Sequence, residues 1–151
     1  MKQEWESFKR VKDCLLEGIY ANQLSAQLVN KDITLVAMEP LLSIKKNNSA
    51  YQTYWKMDWT EDADGDDILL VKEQNTPEPI EYGDHFIMGS SFSLQNNWIK
   101  NVSGYGSKDG NIFSVLLALE NLYILIEAGP VITISITEQE PNDLHDQIFT
   151  A

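Results

Sequence analysis

The sequence predicts an α+β fold in which a short N-terminal helix packs on a mainly antiparallel β body. Three observations carry that expectation. Apolar residues recur at three- and four-residue steps near the start and at two-residue steps over much of the rest, and the last strand-like runs are joined by links too short for a helical crossover. The length, 151 residues, suits one domain able to bury a core without disulfide or metal. Its expected parts are a helix at 1–18, a first β half at 19–72 with an acidic loop at 60–67, a connection at 73–84, a second β half at 85–137 and a polar tail at 138–151.

In the first element, Trp5, Phe8, Val11 or Lys12, Leu15 and Ile19 form one stripe, with Glu4, Glu6, Lys9, Arg10 and Asp13 opposite. That pattern is an amphipathic helix over 2–17, and Gly18 stands where a left-handed cap would end it. Strand-like runs follow at 33–38 and 41–44, separated by Glu39-Pro40, after a turn cluster at Asn30-Lys31-Asp32. Residues 51–59 alternate most clearly, with Tyr51, Thr53, Trp55, Met57 and Trp59 on one face. After the acidic loop comes the apolar run 68–71, and then a polar stretch whose Pro77 and Pro79 keep it out of a sheet interior.

Residues 85–94 and 97–102 are further strand candidates, and 104–111 reads as a turn. Runs at 113–119, 122–128 and 131–137 are linked by Glu120-Asn121 and Gly129-Pro130, the mark of a β-meander. Setting Pro40 over Pro130 aligns residues 33–44 with 123–134, which suggests two related β-meanders. After Glu138 the chain turns polar, the composition of a chain end that few contacts tie down.

Charge is unevenly spread. The net charge of −12 comes from 23 acidic and 11 basic residues, and residues 58–84 hold ten acids against Lys72 alone. Such a chain lacks the cations that displace counterions from nucleic acid, so a basic protein is the better-matched partner. The bland alternative is a solvated acidic loop that keeps the protein soluble.

Motifs for chemistry are missing where spacing would reveal them. Read as an EF-hand anchored on Gly65, the acidic loop places Thr60 at position one and Val71 at position twelve, so both ends lack a ligand. His85 and His145 are 60 positions apart, and no serine occupies a G-x-S-x-G elbow. The glycines at 104, 106 and 110 are not followed by the Lys-Ser/Thr of a phosphate loop. Cys14, the single cysteine, reads as a small buried hydrophobe. No enzyme, cofactor or metal is expected. The N-terminus carries no apolar run of signal-peptide length, so a cytoplasmic setting is expected.

Small size, strong acidity and the lack of catalytic motifs make the chain resemble the immunity proteins of bacterial polymorphic-toxin systems. The resemblance implies a non-enzymatic protein that neutralises a basic toxin domain through an acidic surface. It transfers no residue roles, because it covers no motif. The expected docking surface is Asp58, Trp59, Glu61, Asp62, Asp64, Asp66, Asp67, Tyr82 and Asp84, with Tyr51 and Tyr54 as further aromatic anchors. The other expectation is an accessory or small-ligand-binding domain with a pocket between helix and sheet.

Overall fold

A computed structural model describes residues 4–29, 32–46, 52–76, 85–86 and 97–151. The protein is mostly antiparallel β with one short helix, rather than a balanced α+β fold. Helix α1 (Trp5–Phe8) runs into a 3-10 turn at Lys9–Val11, and ten strands are found among the described residues. They are β1 (Leu15–Val29), β2 (Asp32–Lys45), β3 (Gln52–Glu61), β4 (Asp67–Gln74), β5 (His85–Phe86), β6 (Asn101–Gly106), β7 (Ile112–Ala118), β8 (Tyr123–Glu127), β9 (Ile132–Thr137) and β10 (Asp146–Thr150).

The expected helix over 2–17 is thus too long. Trp5, Phe8 and Val11 are buried as the stripe requires, but the chain leaves the helix at Asp13, which takes φ 68°. Its amide donates to Ile99 O at 2.7 Å, and Ile99 N donates to Cys14 O at 2.8 Å. Sheet pairing therefore claims the backbone groups that another helical turn would need. From Leu15 the side chains alternate, with Leu15 half-buried, Leu16 buried, and Gly18 inside β1 beside a bulge instead of at a helix cap.

β1 and β2 form a long antiparallel ribbon, from Leu15↔Lys45 to Val29↔Asp32. The other edge of β2 is shared. Residues 33–37 pair with β9, and residues 41–45 pair with β3. The switch falls at Glu39, in the left-handed region at φ 43°, followed by Pro40, which has no N–H to offer a neighbour. Glu39-Pro40 is therefore a kink within one strand and not the break between two.

This also separates the aligned segments. Residues 123–134 make two strands joined by a turn, whereas 33–44 make one bent strand whose first half lies against β9. The two halves are not equivalent meanders. The predicted meander itself is present as β7, β8 and β9, paired in order. The polar tail supplies a strand of its own, with β10 pairing β6 and Phe149 lying over Gly104.

The sheet curls. Its order is β10-β6-β7-β8-β9-β2-β1-β5, with β3 and β4 branching from β2. Residues 97–99, just before β6, return to the start of β1 through Leu15↔Trp98 and Leu16 N→Asn97 O at 2.9 Å. The concave side holds the core, including Leu16, Ile19, Leu42, Ile44, Trp55, Met57, Leu69, Val115, Ile124 and Ile134.

The helical segment plugs the gap left by the branch. Phe8 meets Trp55 edge-to-face at 5.2 Å, and Trp5 meets Phe149 of β10 at 5.9 Å. Glu4 accepts the amide of Glu73 on β4 at 2.6 Å, so the edge of β4 is covered at this point. Among the described residues, no helix is long and apolar enough to cross a membrane.

Candidate functional site

The acidic residues at 58–67 are built into the β3–β4 hairpin. Pairing runs from Tyr54↔Gln74 to Glu61↔Asp67, and the five residues 62–66 form the tip. Gly65 takes φ 85°, a conformation that costs other residues steric strain. The Asp62 carboxylate accepts the amides of Asp64 at 2.9 Å and Asp66 at 2.8 Å. A backbone bond from Asp62 N to Asp66 O, 2.9 Å, closes the ladder. The tip is thus a hydrogen-bonded turn, in which one acid organises the amides around it.

Alternation decides what the arms present. Thr53, Trp55, Met57, Leu69 and Val71 face the core, while Tyr54, Lys56, Asp58, Leu70 and Lys72 face outward. Trp59 continues the inner face beyond the last buried rung. It is half-buried, packs on the rim of the core, and donates its backbone amide to Asp58 Oδ1 at 2.8 Å. Glu61, Asp64 and Asp66 are exposed, and Asp62 and Asp67 are half-buried. Among the described residues, ion pairs join Lys9 to Glu6 and Lys56 to Glu39, and none reaches a hairpin acid.

The structure therefore brings Asp58, Trp59, Glu61, Asp62, Asp64, Asp66 and Asp67 onto one projecting hairpin. Tyr82, Asp84 and Tyr51 lie outside the described residues. Tyr54 is set apart on the outer face, where its ring meets Tyr20 at 6.5 Å. No protein-family model, curated protein or solved structure matches the chain. Functional reading consequently rests on the chain's own geometry.

The hairpin offers negative charge at its tip, with Trp59 two rungs away from the last pair, Glu61↔Asp67. Among the described residues, no three histidine, cysteine or carboxylate side chains gather in a metal-holding group. His145 stacks edge-to-face on Phe113 at 5.0 Å, while only the backbone of His85 is described, paired with Ala21.

A second feature lies at the opposite end of β3. A cavity of about 60 Å³ sits between the helical segment and the sheet, lined by Ser7, Arg10, Val11, Cys14, Ile44, Lys46, Thr53, Trp55 and Glu73. The cavity is far smaller than the roughly 300 Å³ lower range of drug-sized sites, and much of its lining is polar rather than the apolar wall such a site would present. Cys14 is buried at its wall and donates through Sγ to Arg10 O at 3.4 Å. Burial pushes its thiol up from the ordinary 9.0, opposed by Lys46 and reinforced by Asp13. A thiol so shifted is a poor nucleophile. The sequence reading missed this group because its members come from four separate segments. The available signal was that Arg10 is the chain's only arginine.

Proposed function

We propose that the protein is a non-enzymatic binding protein of the immunity type, which neutralises a basic toxin domain by presenting its β3–β4 hairpin. The observation that carries this reading is a projection of one sign, held in a defined turn, with five acids at residues 61–67 and no cationic partner among the described residues. An isolated surface carboxylate contributes little, but a focused cluster raises the encounter rate with a basic surface and rejects acidic ones. Trp59, beside the tip, supplies the aromatic contact that turns steering into a lasting complex.

The test is capture from the source cell with mass identification, at low and high salt. The chain should retain a basic protein, lose it as salt rises, and suppress that protein's toxicity when the two are co-expressed. Charge reversal at Glu61, Asp64 and Asp66 should abolish capture and suppression together, while leaving Asp62 to hold the turn. Capture that survives this reversal and high salt would remove the hairpin from the mechanism.

A further inference from the structure

The cavity beside Cys14 gathers polar groups that the docking role does not use. Ser7 and Arg10 come from the helical segment, Lys46 from just beyond β2, Thr53 from β3 and Glu73 from β4. Neither Arg10 nor Lys46 forms an ion pair among the described residues, in a chain with 23 acidic side chains. Here the sole arginine and a second cation border an open cavity together.

Its volume limits what can enter. A cavity of about 60 Å³, open to solvent, has room for a few waters and so for a compact tetrahedral or planar oxyanion. The donors match that shape. A guanidinium offers a planar fork to paired oxygens, an ammonium offers a point charge, and the Ser7 hydroxyl adds a neutral donor. Thr53 is held differently, since its hydroxyl donates to Ile44 O at 3.4 Å and accepts the Trp55 indole N–H at 3.2 Å. Trp55 is therefore tied to the cavity wall and reports on it.

Glu73 refines the ligand class. A carboxylate on the rim repels a fully ionised anion but accepts a hydrogen bond from one that retains an O–H. We infer that this cavity is a binding site for a compact oxyanion that keeps one proton, such as hydrogen phosphate, held by Arg10 and Lys46 with its O–H directed to Glu73. The site is independent of the hairpin tip. The two lie at opposite ends of the ten-residue strand β3, about 30 Å apart at the rise of an extended strand.

Inorganic phosphate is the probe, titrated at mildly alkaline pH, where it keeps one proton, against chloride of equal ionic strength, with sulfate as the anion lacking a proton. Phosphate should raise the melting temperature, shift the Trp55 indole N–H resonance and slow alkylation of Cys14. Arg10→Gln, a change at an exposed residue, should weaken phosphate binding about tenfold, the value of one charge-assisted hydrogen bond. Sulfate should bind more weakly than phosphate, and Glu73→Gln should bring the two together. The triple reversal at Glu61, Asp64 and Asp66 should leave phosphate binding intact, which separates this site's failure from that of the docking reading. A phosphate response no larger than that of chloride, or one unchanged in Arg10→Gln, would overturn the assignment. A preference for phosphate over sulfate that persists in Glu73→Gln would overturn the role of the retained proton.

Discussion

Gly106 ends β6 where the chain folds back on the Ser107–Asn111 turn, and a Cβ placed there would lie 1.7 Å from Asn111 O. That obstacle is backbone and cannot swing aside, so Gly106→Ala should cost about 3 kcal/mol in chemical denaturation. Gly110, in the same turn, has φ 89° and open space around it. Gly110→Ala therefore meets only the left-handed strain and should cost about 1 kcal/mol. The contrast separates two reasons for glycine that look alike in sequence. A glycine-rich stretch at 104–111 was legible as a turn region. That Gly104 and Gly106 belong to a strand depends on Phe149 and Asn111, which meet them only in the fold.

At the scale of elements, the hairpin is a case where local chemistry suffices. Residues 53–59 alternate, Asp-Gly marks the tip, and β3, β4 and their turn follow from both. Asp62→Ala should remove the carboxylate oxygen that accepts both tip amides, cost about 1 kcal/mol and speed hydrogen exchange at Asp64 and Asp66. Asp64→Ala, whose carboxylate caps nothing in the turn, should leave stability unchanged. The first helix behaves in the opposite way. Trp5, Phe8 and Val11 satisfy the helical period, but Cys14 and Leu16 satisfy the strand period equally well, and pairing with 97–99 decides between them. Leu15 and Leu16 cannot announce that choice, because a short apolar run fits either period.

The whole molecule has a pH and a salt signature. Tyr20 is pushed up from its ordinary 10.0 by burial, then by Tyr54 and by the charge of Glu17, and Cys14 is pushed up by burial. Both groups are neutral when protonated, and folding favours that form. Their contribution to stability is complete below the unfolded values near 9.0 and 10.0 and is lost as pH rises through the higher folded values. Thermal melts should show stability declining from about pH 9 upward, less steeply in Tyr20→Phe, where one of the two ionisations is gone. Salt should act the other way. With a net charge of −12 and unpaired acids on the hairpin, moving from low ionic strength to about 0.15 M should raise the melting temperature by screening repulsion.

What the sequence determined by itself is local. The β character of the body, the β7–β8–β9 meander, the acidic hairpin and the burial of Trp5, Phe8, Trp55 and Met57 all follow from side-chain period and turn residues within a few positions. The tertiary structure alone decided that 33–44 is one kinked strand serving two neighbours. It also decided that the polar tail supplies β10, and that Arg10, Lys46 and Glu73 border one cavity. Those outcomes depend on which distant backbone offers its hydrogen-bonding edge, and on which segments the curl of the sheet brings together. Neither leaves a periodic trace in the chain, because pairing across a sheet is set by contacts between residues far apart in sequence.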